Sequence, residues 1–349
     1  HLSVIVKSEA TESSVKEVTG SFDCAEFVFY KDFLPKAIAF KIFPYSAKSF
    51  FSPQTSVIIL EDLNEKGFVL GNKTKGLDFE HCHLYVTAVA SLHAVSRAVL
   101  AEDPELINNL GKEKAFCYSQ PITDGIRTMV SSGMRCLAEY TETSDRFNQY
   151  TDRIKDCSTT VFDAMIEAVR PREDELNVLN HGDAWTNNVM FKYDDEGSPC
   201  DVKLVDFQVT RFTSPLVDIV YFIWTSASDD VRTNRLDELF LIYVEELNKN
   251  LRLVDCLESI SYESAMVAVQ RLHPLAIYVA LVYQIFCAEQ AIQNIDPFFT
   301  KGQEEKSYQI YKSFFTEDKF SNDRLPKLVQ QLECSGVFEY LKDTRHYYV

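Results

Sequence analysis

The stretch LNHGDAWTNNVMFKYDDEGSPCDVKLVDF, residues 179–207, decides the fold class of this chain. Within it, Asn188 follows Asp183 by five residues, and Asp206 closes a second apolar run. The runs VMFKYD and VKLVDF are strand-like, and the segment DEGSPC between them is rich in turn-forming residues. A β-hairpin over this stretch would bring three oxygen-bearing side chains to one end of a small two-stranded unit.

Those three side chains have the pattern that phosphoryl transfer requires. Asp183 is the candidate catalytic residue, because an acceptor hydroxyl needs a carboxylate beside it. Asn188 and Asp206 are the candidate Mg²⁺ ligands, since Mg²⁺ takes a few hard oxygen donors together with phosphate oxygens. Two of them have a structural alternative: Asp183 could cap a short helix, and Asn188 could be a turn residue. The combined order H-x-D-x4-N and L-V-D-F favours a kinase of small molecules.

A charged pair is predicted in the N-terminal part of the chain. Lys7 lies in LSVIVKS, a β-branched run typical of a strand, and Glu26 lies in an amphipathic helix predicted over 21–36, near whose end Pro35 stands. A strand Lys held by a helix Glu, with the Lys reaching nucleotide phosphates, is the kinase arrangement. Two solvated surface charges are the alternative, and the downstream motif favours the pair.

Supporting roles are predicted for four further residues. The segment LEDLNEKGF, residues 60–68, is expected from its position to supply backbone groups, at Glu61 and Leu63, to an adenine edge. His181 is expected to orient its loop through a structural hydrogen bond rather than to do chemistry. Asp218, at the start of an apolar helix, is expected to brace the catalytic loop.

The bulk properties exclude several classes of protein. The chain has 349 residues and a net charge of −17, which argues against nucleic-acid and anionic-membrane partners. Its nine cysteines form no C-x-x-C pair, which indicates reduced thiols and a cytoplasmic location. The most apolar run, residues 272–288, is short for a membrane span and is expected to be a buried core helix. No signal sets the oligomeric state.

The order of elements predicts an α+β chain of two lobes. Strand-like runs at 37–47 and 57–63 complete a small β-rich N-lobe, residues 1–62, and a large, mainly helical C-lobe covers residues 63–349. Only the hairpin near residues 194–200 is expected to interrupt the helices of the C-lobe with strands. Those helices are predicted over 77–100, 124–140, 150–169, 216–227, 234–251, 262–292, 306–315 and 326–342.

Together the motifs resemble the choline-kinase-like group of the aminoglycoside-phosphotransferase superfamily, most closely the ecdysteroid-kinase-like family. The resemblance is carried by HGDAWTNNVMFKYD at 181–194, LVDFQVTRFTSPLVDI at 204–219, FDCAEFVFYKDFLP at 22–35 and VIILEDLNEKGF at 57–68. It implies a protein-kinase-like two-lobed fold and ATP- and Mg²⁺-dependent phosphorylation of a small-molecule hydroxyl, such as a steroid alcohol or a xenobiotic metabolite. By motif, Asp183 would be the catalytic Asp.

One feature departs from the family pattern. Members carry a strand-loop-strand that covers the ATP phosphates before the strand bearing the Lys, whereas only six residues precede Lys7. We therefore expect either an N-terminal truncation or a chain that lacks this phosphate-covering hairpin. The second case defines the alternative function, a catalytically impaired binding protein with a kinase fold.

Overall fold

A computed structural model of the chain describes residues 3–8, 22–54, 56–118, 121–287 and 296–341. Within these residues the predicted α+β class is confirmed, because short antiparallel sheets occur beside many helices. The chain forms two compact units, the first built from His1–Lys114 and Pro171–Met266, the second from Ala115–Arg170 and Val267–Val349. The predicted lobe boundary at residues 62 and 63 stays a prediction.

The strands are β1 (Val4–Ser8), β2 (Ser49–Phe50), β3 (Val57–Glu61), β4 (Phe68–Leu70), β5 (Val178–Asn180), β6 (Val189–Tyr193), β7 (Pro199–Leu204) and β8 (Arg211–Thr213). The helices are α1 (Phe22–Val28), α2 (Leu34–Ala39), α3 (Phe79–Glu102), α4 (Pro104–Leu110), α5 (Pro121–Glu142), α6 (Thr151–Cys157), α7 (Val161–Ala168), α8 (Leu216–Ser226), α9 (Asp229–Asn234), α10 (Leu236–Leu253), α11 (Tyr262–Arg271), α12 (His273–Ile277), α13 (Gln284–Cys287), α14 (Asp296–Phe299), α15 (Glu304–Phe315), α16 (Leu325–Cys334) and α17 (Val337–Tyr340).

All described sheets lie in the first unit and are antiparallel. Strands β1, β3 and β2 form one sheet in that order, with Lys7 opposite Ile58. Strands β4, β6 and β7 form a second sheet, and β5 pairs with β8. The hairpin predicted from the sequence is therefore confirmed as β6 and β7. Its turn contains Gly197 with φ of +83°, a conformation that glycine adopts without steric cost.

The helix that carries Glu26 is longer than predicted. Helix α1 passes through a π-helical turn, Phe29–Phe33, directly into α2, so Pro35 does not end it. Pro35 stands in the first turn of α2, the part of an α-helix that tolerates proline. The strand predicted over 37–47 is wrong, because α2 occupies its beginning and Lys41, with φ of +61°, follows the helix. The next strand along the chain is β2, which begins only at Ser49.

The prediction of a single strand pair in the C-lobe is also wrong. Strands β4, β5 and β8 are additional, and each has only three residues. Three residues are too few to show the alternation that marks a strand in sequence. Three short helices, α4, α9 and α14, also lie outside the predicted helices, because seven residues or fewer make too few turns to show a helical period.

Most long predicted helices are confirmed with shifted ends. The segment 150–169 is divided into α6 and α7, and 326–342 into α16 and α17. The segment 262–292 is divided into α11, α12, a π-helical turn at Tyr278–Val282, and α13; its end from residue 288 lies outside the described residues. Leu272, Leu275 and Val279 are fully buried, as expected of a core helix.

Helix α3 is the central helix of the first unit. By length and apolar composition it could span a membrane, but 72% of its apolar window is buried inside the protein. It packs against α10 and β5, and Tyr85 stacks on Phe222 of α8 with ring centroids 3.6 Å apart. In this structure α3 is a core helix.

The second unit contains helices and no strands among its described residues. Helices α5 and α15 pack against each other, and the guanidinium of Arg135 lies 3.5 Å from the ring centre of Tyr308. Tyr311, fully buried on α15, donates a hydrogen bond of 2.9 Å to the carbonyl of Val282.

We predict that Leu92→Ala lowers the free energy of unfolding by about 2–5 kcal/mol, because it leaves a cavity in α3 where the side chain is fully buried. The matched control is Leu257→Ala, at a fully exposed leucine, for which the change should stay within about 0.5 kcal/mol. Urea unfolding followed by circular dichroism measures both. Equal losses for the two variants would contradict the placement of α3 in the core.

Candidate functional site: the loop 181–183 and the hairpin β6–β7

The loop that follows β5 is held by a buried carboxylate. Asp218, on α8 and fully buried, accepts the backbone N–H of His181 (2.6 Å) and that of Gly182 (2.8 Å). Its Oδ2 also lies 3.2 Å from Nε2 of His93, on α3. The predicted bracing role of Asp218 thus has a direct geometric basis, since the carboxylate satisfies two successive amides of the loop.

Asp218 keeps its charge in spite of its burial. Burial by itself raises the pKa of this carboxyl, but the hydrogen bond from His93, the charges of His93 and His181 and the N–H of Gly182 outweigh it, so the pKa lies below its ordinary value. Nδ1 of His93 is in turn 2.7 Å from the hydroxyl of Tyr243. The anion is therefore surrounded by donors, as a buried charge must be.

The conformation of the loop depends on Gly182 and His181. Gly182 has φ of +85°, and a Cβ there would lie 2.0 Å from the carbonyl oxygen of Val209, so no other residue fits. The ring of His181 bridges two backbone groups: Nε2 is 2.9 Å from the carbonyl of Val205, and Nδ1 is 3.4 Å from the N–H of Asp183. These contacts agree with an orienting role for His181.

Asp183 and Asn188 lie side by side. The side-chain amide of Asn188 donates to the carbonyl oxygen of Asp183 (2.8 Å) and to its Oδ2 (3.1 Å). The hydroxyl of Tyr221, one turn after Asp218 on α8, donates to Oδ1 of Asp183 at 2.7 Å. Both carboxylate oxygens thus accept hydrogen bonds, which fixes the plane of the carboxylate.

The hairpin brings Asp206 to the same place. Val189 is opposite Leu204 in the β6–β7 register, and the N–H of Val205 donates to the carbonyl of Asn188 at 3.0 Å. Asp206, the next residue, has φ of +70°, a left-handed conformation that is uncommon for any residue but glycine. This turn ends the strand and sets Asp206 beside the Asn188 end of the hairpin.

Lys7 and Glu26 form the pair predicted from the sequence. The ammonium of Lys7 lies 2.7 Å and 2.9 Å from the two carboxylate oxygens of Glu26, and 4.0 Å from Oδ1 of Asp206. Burial raises the pKa of Glu26, the charge of Lys7 opposes this, and the charge of Asp206 adds to it. Lys7 therefore stands between two carboxylates from different parts of the chain.

Phe207 joins the helix of Glu26 to the hairpin. Its ring stacks on Phe29 with centroids 3.7 Å apart and an interplanar angle of 8°, and it meets Tyr30 edge-on. All three residues are buried, with at most 1% of their surface exposed. Because Phe207 follows Asp206 directly, this stack keeps Glu26 and Asp206 in one neighbourhood.

Glu61 is the last residue of β3, and Leu63 follows two residues later. Oε1 of Glu61 accepts the N–H of Lys48 at 2.9 Å, and the side chain of Leu63 is buried. The carbonyl of Leu63 accepts N–H groups from Lys66 and Phe68 at 3.0 Å each. These contacts order the segment after β3, and the binding of an adenine edge there stays a prediction.

The donor set fits a magnesium ion that also binds phosphate. The amide nitrogen of Asn188 is used by Asp183, so its Oδ1 is the atom left to face a cation, and the side chain of Asp206 is 30% exposed. Within the described residues, no group of three or more His, Cys, Asp or Glu could hold a metal by itself. Mg²⁺ commonly binds through one or two protein oxygens and completes its shell with phosphate and water.

Two contributors to the site were missed by sequence reasoning. His93 lies in an apolar helix far from the motif, and nothing in its local sequence distinguishes it from a core histidine. Tyr221 lies just outside the motif 204–219, in the apolar run of α8. Its spacing of three from Asp218 places both on one helix face, and this signal could have linked it to the loop.

A comparison with protein-family models identifies the chain. The model of the ecdysteroid kinase-like family matches residues 1–256, about three quarters of the length. The chain belongs to the ecdysteroid kinase-like family. This confirms the family predicted from the sequence, and with the contacts above it confirms the protein-kinase-like α+β fold class. Membership supports a small-molecule phosphotransferase that uses a nucleotide.

Several solved structures are similar to this member of the ecdysteroid kinase-like family. They include a choline kinase from Cryptosporidium parvum Iowa II (10% identity, 97% of this chain and 86% of that chain, TM-score 0.46) and a Plasmodium vivax ethanolamine kinase (11%, 92% and 77%, 0.41). A putative aminoglycoside phosphotransferase from Ralstonia eutropha is also similar (15%, 89% and 86%, 0.39). No curated protein matches the chain. Because these TM-scores are below 0.5, the family assignment rests on the family model.

We predict that Asp218→Asn lowers the free energy of unfolding by about 3–5 kcal/mol at pH 7, since His93 and two loop amides lose a buried anion. The folded pKa of Asp218 is depressed, so its stabilisation is present above its ordinary pKa, about 4, and is lost as the pH falls through the folded value. The difference between variant and wild type should therefore shrink below about pH 4.

Chemical denaturation between about pH 3 and pH 8 measures this dependence. Asp152→Asn, at an exposed carboxylate, is the matched control and should change stability by less than about 0.5 kcal/mol. A loss for Asp218→Asn that is the same at every pH would show that the ionised form is not what stabilises the loop.

Proposed function

We propose that this chain transfers the γ-phosphoryl group of ATP, with Mg²⁺, to a hydroxyl of a small lipophilic alcohol. A steroid alcohol or a hydroxylated xenobiotic metabolite is the expected acceptor. The observation that carries the proposal is the convergence of the Lys7–Glu26 pair on Asp206, together with the pairing of Asp183 and Asn188 at the base of the same hairpin. Phosphoryl transfer is mainly positioning and electrostatic stabilisation, and these residues provide both.

Each residue has a separate task in this scheme. The carboxylate of Asp183 orients the acceptor hydroxyl and receives its proton as the oxygen bonds to the γ-phosphorus. The bond between that phosphorus and the β–γ bridging oxygen breaks, so ADP leaves with the electron pair. Lys7 contributes positive charge to the phosphates. Asn188 and Asp206 would hold Mg²⁺, which neutralises the phosphate charge when it is bound.

The order imposed on Asp183 supports this assignment. Tyr221 and Asn188 each donate to one carboxylate oxygen, and the loop that carries Asp183 is anchored by Asp218. A carboxylate held in one plane by a rigid support is pre-organised to align a hydroxyl, and such alignment supplies much of the rate of an in-line transfer.

We place the activity in the cytoplasm. The buried thiols of Cys136 and Cys157 support a reduced state, because burial raises the pKa of each to about 12.

The proposal is tested with Mg²⁺, labelled ATP and a panel of steroid and xenobiotic alcohols. We predict a labelled product with at least one alcohol and a loss of turnover of at least about 10³-fold in Asp183→Ala. Asp152→Ala, at an exposed carboxylate, should turn over like the wild type. Absence of product with every alcohol, or full turnover by Asp183→Ala, would refute the proposal.

Thermal-shift titration with Mg-ATP distinguishes the alternative of an impaired binding protein. A ligand at about 100 times its Kd stabilises the folded chain by about 2.7 kcal/mol. Stabilisation that requires both Mg²⁺ and ATP supports the kinase. No shift at millimolar nucleotide would favour the impaired chain instead.

We predict that Tyr221→Phe lowers kcat about tenfold and leaves the KM for ATP unchanged, because it removes one hydrogen bond worth about 1.4 kcal/mol from Asp183. Tyr193→Phe is the matched control: its hydroxyl is also hydrogen-bonded, to His81, but at the far end of the hairpin. Steady-state kinetics on both variants make the measurement. Equal effects of the two would show that Tyr221 only stabilises the fold.

A further inference from the structure

The segment that follows Asp206 is hydrogen-bonded to the end of helix α4. The hydroxyl of Thr210 donates to the carbonyl of Leu110 at 2.8 Å, and the N–H of Phe212 donates to the carbonyl of Gly111 at 2.9 Å. A Cβ on Gly111 would lie 2.3 Å from the Cβ of Phe212, so the two backbones approach as closely as glycine permits.

Lys114 is a buried cation at this junction. It is 9% exposed, and its ammonium donates to the carbonyls of Thr210 (2.9 Å), Leu110 (3.2 Å) and Lys112 (3.2 Å). Three carbonyls match the three N–H donors of an ammonium group. An aliphatic side chain would fill the same volume without the cost of burying a charge. The cation therefore serves to hold these carbonyls together.

One of the three carbonyls bound by Lys114, that of Thr210, is next in the chain to the residue that contacts the loop of Asp183. Val209, the residue before Thr210, places its carbonyl oxygen in the space that a Cβ on Gly182 would occupy. A shift of Thr210 therefore shifts Val209 against Gly182, and Asp183 is the next residue of that loop.

We propose that Lys114 is a positioning residue of the phosphoryl transfer, whose ammonium holds the segment after Asp206 against Gly182 so that Asp183 keeps its place. This inference rests on the proposed phosphotransferase function. Lys114 acts through Thr210 and Val209, so its effect belongs to kcat rather than to nucleotide binding.

The charge state of Lys114 gives the proposal a signature in pH. Burial, and then the charge of Arg211, lower the pKa of Lys114 to about 8; Glu113 opposes the shift and Lys112 adds to it. Arg211 and Glu113 are themselves paired at 3.3 Å. A neutral amine has two N–H donors for three carbonyls, so kcat should fall as the pH rises through about 8.

The experiment compares Lys114→Met with Lys112→Met, the same substitution at an exposed lysine two residues away. For Lys114→Met we expect kcat to fall about 100-fold with the KM for ATP within about twofold, since a displacement of about 1 Å at a reacting group has this effect. The fall in kcat near pH 8 should be absent in this variant. Lys112→Met should keep kcat and the fall in kcat at alkaline pH, displaced slightly to higher pH because one neighbouring positive charge is removed. In Lys114→Ala, added n-propylammonium should restore part of kcat.

Each outcome bears on the role of Lys114. A folded Lys114→Met with wild-type kcat overturns it. Should neither Lys114 variant fold, the wild-type profile decides: a kcat that is constant from about pH 7 to about pH 9.5 overturns the role, and a fall centred near pH 8 supports it. If the wild-type chain shows no turnover, both the proposed function and this role of Lys114 are refuted. If the wild type turns over and the Lys114 variants turn over equally well, only the role of Lys114 is refuted.

Discussion

The buried carboxylate of Asp218 is the constraint on which the rest of the site depends. It accepts the N–H groups of His181 and Gly182 and is supported by His93. A buried anion without these partners would be costly by several kcal/mol, so the loop and helix α8 are ordered together. The direction in which Asp183 points is therefore set from the core of the first unit, outside the loop itself.

Two residues of the site have left-handed backbone conformations. Gly182 allows the Val209 carbonyl to approach the loop, and Asp206 takes φ of +70° where the hairpin ends. A non-glycine residue in this region costs of order 1 kcal/mol and persists only where its surroundings hold it. The stack of Phe207 on Phe29 supplies such surroundings on one side, and the bonds made by Thr210 supply them on the other.

Much of the fold and of the candidate site could be predicted from local sequence. The hairpin β6–β7, the long helices and the neighbourhood of Asp183 and Asn188 follow from alternation, periodicity and spacing. The failures were also local in origin. A strand was predicted over 37–47, where the helix runs on through a π turn to Ala39, because a β-branched or aromatic run reads as a strand unless tertiary packing overrides it. The short strands β4, β5 and β8 owe their existence to partners distant in the chain.

What the sequence alone determined is the family and the chemical type of the residues at positions 183, 188 and 206, since these are carried by a continuous motif. Tertiary structure decided which distant residues serve that motif. His93, Tyr221 and Lys114 lie outside it, and their partners are 125, 38 and 96 residues away in the chain. The physical reason is that a buried polar group must find its hydrogen-bond partners wherever packing places them, and a sequence pattern records only neighbours.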